Sequence, residues 1–150
     1  MRYALLACTL LIFSSSCKST KMMEALAGHR SNIVGALGEN VSPREKLDVT
    51  ASTLLAVLNE SLSIGPVKKS VRHLDQFNKA NQKDLDVLFD DIGAWIGGMS
   101  KNERNLFYLS LATKPYTVEL FRTIPKVEKK ISRKIGTYLL FGRLLKMVKL

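Results

Sequence analysis

Apolar residues that recur every three or four positions dominate this sequence between residues 42 and 111. Such spacing places side chains on one face of an α-helix. Strand-like alternation of useful length does not occur, and neither does a hairpin turn of the Asn-Gly type. We therefore predict an all-α fold, a small bundle of five to seven helices. The apolar positions behind this prediction are Leu47, Leu54, Leu55, Leu58, Leu62, Val67, Val71, Leu74, Phe77, Leu85, Leu88, Phe89, Ile92, Trp95, Ile96, Leu106, Phe107, Leu109 and Leu111.

Capping residues and glycine or proline breaks divide this pattern into separate helices. Ser42 with Glu45, and Ser100 with Glu103, have the spacing of a capping box, which satisfies free N–H groups at a helix start. Asn81 is the type of residue that caps a further helix. The first helix is expected over Met22–Leu37, and the breaks at Gly38–Asn40, Gly65-Pro66, Gly97-Gly98, Lys114-Pro115 and Pro125.

The first seventeen residues have the pattern of an export signal. A positive Met1-Arg2 start leads into an apolar run over residues 3–13, followed by three serines and Cys17. A run of this length is too short to cross the hydrocarbon core of a bilayer, which takes about 20 residues. It has the length of the apolar region in a secretory signal. The pattern predicts export with cleavage directly before Cys17.

Ser15, Ser16 and Cys17 resemble the lipobox of bacterial lipoproteins, while Ser14 stands where leucine is commonest. The resemblance implies a diacylglyceryl group on the Cys17 thiol and an acyl chain on the new amino terminus. Apart from these covalent lipids, we predict no cofactor. The resemblance also implies a lipid anchor in the cell membrane or the outer membrane, outside the cytoplasm. An ordinary secretory signal, cut at the same place, is the alternative, and an uncleaved amino-terminal anchor is the third.

Three regions follow from these patterns. Residues 1–16 are expected to be the signal peptide, residues 17–22 a short lipidated tether, and residues 23–150 the helical domain. Cys8 leaves with the signal, so that a single cysteine remains and no intrachain disulfide is possible. An exported domain of this kind depends on its apolar core for stability.

Positive charge is concentrated in the carboxy-terminal part of the chain. The 150 residues carry 23 Lys and Arg against 13 Asp and Glu, and from Lys114 to Leu150 ten basic residues stand against two acidic ones. A helical region is predicted over 126–150. Its first half has an apolar stripe of Val127, Ile131, Ile135 and Tyr138, and its second stripe, after Gly136, is rotated by roughly a quarter turn. The basic residues proposed as a contact surface for an anionic partner are Lys126, Lys129, Lys130, Arg133, Lys134, Arg143, Lys146 and Lys149.

This basic region has three possible roles. It can cover the protein's own core, with the acidic residues Asp84, Asp86, Asp90 and Asp91 as partners. It can lie on an anionic membrane surface, because a basic face opposite an apolar face is typical of interfacial helices. It can also bind an acidic protein or an anionic cell-wall polymer.

Residue patterns typical of enzymes and metal sites are missing from the sequence. His29 and His73 lack metal-ligand spacing, and we interpret both as surface or half-buried helix residues. The four aspartates lack the spacing of a calcium loop. No nucleophile motif, phosphate-binding loop or dinucleotide fingerprint is present. We therefore predict no catalytic residues and no metal.

The favoured hypothesis is a membrane-anchored envelope lipoprotein that acts as a non-enzymatic interaction or structural module. A module that binds anionic lipid or cell-wall polymer is the alternative, and an envelope-acting hydrolase comes third. Nucleic acid is not expected as a partner, because the chain is predicted to be exported and its aromatic residues do not alternate with its basic run.

Overall fold

The computed structural model describes residue 24 and residues 26–123, and these residues contain helices but no strand. The prediction of a small all-α bundle of five to seven helices is confirmed. The helices are α1 (26–36), α2 (Pro43–Ile64), α3 (Val67–Ala80), α4 (Gln82–Gly97), α5 (Lys101–Ala112) and α6 (Pro115–Thr123).

α2, the longest of the described helices, lies at the centre of the bundle and packs against α3, α4 and α6. Its leucine stripe explains this position, because Leu47, Leu54 and Leu58 are almost completely buried. Leu74 from α3 and Leu88 from α4 join them in one core. A helix buried on several sides needs apolar residues around much of its circumference, and α2 supplies them.

Most of the predicted helix boundaries are confirmed. Ser42 Oγ accepts a hydrogen bond from Glu45 N at 3.3 Å, and Pro43 occupies the first turn of α2. The capping box at the start of α5 is complete, since Ser100 N also donates to Glu103 Oε2 at 2.8 Å. These contacts form within one turn of chain, which is why residue spacing alone predicts them.

The prediction that Asn81 caps α4 is wrong. Its side-chain Nδ2 donates backwards to Phe77 O at 2.8 Å, at the end of α3, and makes no capping bond to α4. A capping residue needs an extended backbone, whereas Asn81 has φ −114° and ψ 19°. With only one residue between α3 and α4, Asn81 completes the last turn of α3 instead.

The signal segment, the tether and the basic carboxy-terminal region lie outside the described residues. Within residues 26–123, none of the helices combines the length and the apolar composition that a membrane span requires.

Candidate functional site

Asp48 organises a polar cluster between α2 and the start of α6. Its Oδ2 forms an ion pair with Lys114 Nζ, and its Oδ1 accepts a hydrogen bond from Tyr116 OH at 3.0 Å. Lys114 lies in the two-residue connection between α5 and α6, and Tyr116 in the first turn of α6. The side chains of Asp48 and Lys114 are only 33% and 24% exposed. The cluster therefore attaches the α5–α6 connection to the central helix.

The environment of Tyr116 keeps its hydroxyl protonated. Burial raises the pKa of Tyr116 above its ordinary value, and the hydrogen bond to Asp48 and the charge of Asp48 raise it further, against a weaker opposing effect of Arg44. As a neutral phenol, Tyr116 donates its hydroxyl proton to a carboxylate that is also paired with Lys114. These contacts join the start of α6 to α2.

Two further polar contacts hold α2 to its neighbours. Lys46 Nζ forms an ion pair with Asp91 of α4, and the Lys46 side chain is largely buried. Thr123 Oγ1, at the end of α6, has two acceptors for its one hydrogen: Asn59 Oδ1 of α2 at 3.2 Å and Glu119 O of its own helix at 2.9 Å. The end of α6 thus contacts α2 about three helical turns beyond Asp48, so that α6 meets α2 near both of its ends.

His29 lies at the junction of three helices and is half-buried, as expected. Its Nε2 is 3.0 Å from Glu60 Oε2 of α2, although the two atoms lack hydrogen-bond alignment. Its ring meets Phe77 of α3 edge-on, with the centroids 6.5 Å apart. Among the described residues, Glu60 is the acidic side chain within ion-pair distance of this imidazole. His73 is also half-buried.

The predicted acidic group of α4 does not form a single site. Asp91 pairs with Lys46, Asp90 is exposed, and Asp84 and Asp86 line an open cleft of about 560 Å³ between α1 and the α3–α4 turn. Basic and amide residues share this cleft, so its charge is mixed. The other described lining residues are Arg30, Lys79, Ala80, Asn81, Gln82 and Lys83. Among the residues the structure describes, no three His, Cys, Asp or Glu side chains are placed to hold a metal ion.

Two consecutive helices expose large apolar side chains to solvent. On α5, Leu106 and Leu109 are 67% and 68% exposed, while Phe107 and Leu111 are buried. On α6, Phe121 is 66% exposed and Val118 is 39% exposed. Each pair is three residues apart, so each pair shares one helix face. We call these four residues the α5–α6 apolar faces.

The exposure of Leu106 and Leu109 shows that the apolar residues of α5 do not all face the core. The sequence contains four apolar residues in six positions, and at about 100° per residue they cannot all point the same way. Phe107 and Leu111 face the core, and Phe107 packs edge-on against Trp95 with the centroids 5.1 Å apart. Leu106 and Leu109 fall on the opposite side. The angular positions of these four residues around a helix therefore already indicated, from the sequence, that Leu106 and Leu109 would not share a face with Phe107 and Leu111.

Cys17, the predicted lipidation site, and all eight predicted basic contact residues lie outside the described part of the chain. The Asp48 cluster was not predicted, because its members are 66 and 68 positions apart and no local pattern connects them.

Comparisons with protein-family models, with curated proteins and with solved structures found no match to this chain.

Proposed function

We propose that this protein is a lipoprotein of the bacterial cell envelope, anchored outside the cytoplasm in the cell membrane or outer membrane through lipidated Cys17. Its helical domain acts as a non-enzymatic interaction or structural module. The basic residues of the segment 126–150 contact an acidic surface of an envelope protein.

The distribution of charge is the observation that carries this proposal. Residue 24 and residues 26–123 contain twelve basic and twelve acidic side chains, so the described bundle has no net charge. Residues 124–150 contain eight basic side chains and one acidic side chain, Glu128. Charge of one sign collected in one segment favours contact with a surface of opposite sign, through faster and more selective association.

The same charge distribution favours one alternative, in which the segment binds anionic lipid or an anionic cell-wall polymer directly. Each basic side chain held near an anionic membrane contributes about 1 kcal/mol. A module tethered at Cys17 would then gain a defined orientation on the surface to which it is anchored.

The anchor is tested by mass spectrometry of the native protein purified from bacterial membranes. We expect residue 17 to be the first residue and to carry diacylglyceryl and acyl masses. A Cys17→Ser variant should lose the lipid and leave the membrane fraction. An unmodified Cys17, or a leader still attached to the chain, would contradict the lipoprotein assignment.

The partner is tested with the unlipidated chain from residue 18, so that the anchor does not dominate binding. We expect it to bind isolated envelopes and to lose that binding after protease treatment of the envelopes. The double variant Lys126→Glu/Lys130→Glu should bind about tenfold more weakly. The matched control is Lys68→Glu/Lys69→Glu, because both of these lysines are exposed on α3. Undiminished binding to protein-free vesicles of extracted lipid, or to purified cell wall, would select the alternative, and equal effects of both variants would contradict both.

A further inference from the structure

The α5–α6 apolar faces contain three of the most exposed large apolar side chains among the described residues, Leu106, Leu109 and Phe121. Full burial of a Leu or Phe side chain stabilises a protein by about 1.5–3 kcal/mol. Leu106, Leu109 and Phe121 are largely exposed, so covering them would stabilise the protein further. Isolated exposed apolar residues are ordinary on protein surfaces. Here, by contrast, each of two consecutive helices exposes a pair of apolar residues three positions apart. Such a pair forms one apolar face, against which another helix can pack.

A segment with a matching pattern begins directly after these helices. α6 reaches Thr123, and Pro125 is expected to end or kink a helix, so we expect the chain to change direction there. Short connections in helical bundles join neighbouring antiparallel helices. The next region of predicted helix, residues 126–138, is thus expected beside α6. Its length as a helix, about 20 Å, is close to that of α5.

The apolar stripe of this segment needs a surface to cover it. Val127, Ile131, Ile135 and Tyr138 lie on one face of the predicted helix, and Lys126, Lys129 and Arg133 lie well away from that face. An amphipathic helix in a small domain ordinarily buries its apolar stripe against the same domain. Among the described residues, the exposed apolar pair on α6 precedes this segment directly in the chain, and α5, which contacts α6, carries a second pair.

We propose that residues 126–138 dock onto the α5–α6 apolar faces, with Val127, Ile131, Ile135 and Tyr138 against Leu106, Leu109, Val118 and Phe121. The two-residue connection keeps the segment at a high effective concentration near its site. Docking buries apolar side chains while the charged groups stay in water, which avoids the cost of burying charge. The basic residues are then held on the outside of the bundle in a fixed orientation.

Limited digestion with trypsin tests this docking without any membrane or partner, so its result is independent of the proposed function. The segment contains the cleavage sites Lys129, Lys130, Arg133 and Lys134. In the intact chain we expect cleavage there, followed by mass spectrometry, to be about tenfold slower than in a free peptide of residues 124–150. Cleavage at the same rate in the chain and in the peptide would overturn the proposal.

Two pairs of substitutions locate the docking site. Leu106→Gln/Leu109→Gln and Val118→Gln/Phe121→Gln should each accelerate cleavage in the segment severalfold while leaving the helical circular dichroism unchanged. Val34→Gln/Val87→Gln is the matched control, because these valines are 49% and 51% exposed on α1 and α4. It should leave the protection intact. The proposal is wrong if protection survives both pairs, if it needs anionic vesicles, or if it depends on protein concentration, which would indicate a second copy as the occupant.

Discussion

Asp48 shows how one residue can connect distant parts of this chain. It accepts from Lys114 and Tyr116 through different carboxylate oxygens, and both donors come from the beginning of α6 or just before it. A buried or half-buried carboxylate is tolerated only when its oxygens have partners. Here each oxygen has one. The cluster is therefore a specific long-range link between the central helix and the α5–α6 pair.

Tyr116→Phe should lower the free energy of unfolding by about 1 kcal/mol, the usual net value of a hydrogen bond. Urea denaturation measures this change. Tyr108→Phe is the matched control, because the Tyr108 hydroxyl is buried and has no hydrogen-bond partner among the described residues. Its removal should cost clearly less. Equal losses in the two variants would mean that the bond to Asp48 contributes nothing specific.

The raised pKa of Tyr116 also gives its contribution a pH dependence. In the unfolded chain a tyrosine ionises near pH 10, whereas folded Tyr116 keeps its proton because of burial and the nearby Asp48. The unfolded state therefore releases protons first as the pH rises, and stability falls above about pH 10. Urea midpoints at increasing pH should decline less steeply for Tyr116→Phe than for the unmodified protein. Parallel declines would assign the pH effect to other groups.

At the scale of single helices, local capping contacts and the packing of neighbouring helices separately determine where a helix begins. The capping box of α5 involves only Ser100 and Glu103, and the hydrogen bonds from the Ser100 hydroxyl and backbone N–H lower the pKa of Glu103. Asn81 is the counterexample, since the short connection between α3 and α4 overrides its capping preference. A helix start is therefore predictable where the chain is free to adopt extended geometry before it.

Ser100→Ala should destabilise the protein by about 1 kcal/mol, because the first turn of α5 loses its side-chain acceptor. Thermal or urea unfolding monitored by circular dichroism gives the change. Ser52→Ala serves as the control, because Ser52 is exposed within α2 and its hydroxyl donates only to Asp48 O in the preceding turn. Such back-bonding stabilises a helix little. A comparable loss in both variants would contradict a specific role of the cap.

At the scale of the whole molecule, a neutral bundle carries a strongly basic carboxy-terminal segment. The core is formed by apolar residues of α1 to α6, with fully buried members such as Ile33, Leu58 and Ile92. The described residues contain equal numbers of basic and acidic side chains. Some of these form local ion pairs, such as Asp75 with Lys79. Under the proposed function, the core of the bundle provides stability and the basic segment provides charge-dependent recognition.

Val57→Ala should lower the free energy of unfolding by about 2 kcal/mol, through lost burial and the cavity that remains. Val87→Ala makes the same chemical change on an exposed position, since Val57 is 1% and Val87 is 51% exposed. It should be neutral or slightly stabilising, because alanine is the better helix former. Chemical denaturation of both variants measures the difference. Similar losses would mean that burial in the described core does not govern stability.

The amino-acid sequence by itself determined the all-α class, most helix ends and the identity of most core residues. These properties depend on contacts within about one helical turn and on apolar periodicity, both of which are written in neighbouring positions. The charge distribution and the lipobox-like signal were equally visible without coordinates, and their functional meaning remains a proposal.

Only the tertiary structure decided which distant residues meet and which apolar residues stay in solvent. Asp48 contacts Lys114 and Tyr116 because α2 lies at the centre of the bundle. The Asn81 side chain bonds to the end of α3 because a single residue separates α3 from α4. Leu106 and Leu109 are exposed because α5 packs through Phe107 and Leu111. Each outcome depends on how helices pack together, and helix packing is a long-range property that no short stretch of sequence contains.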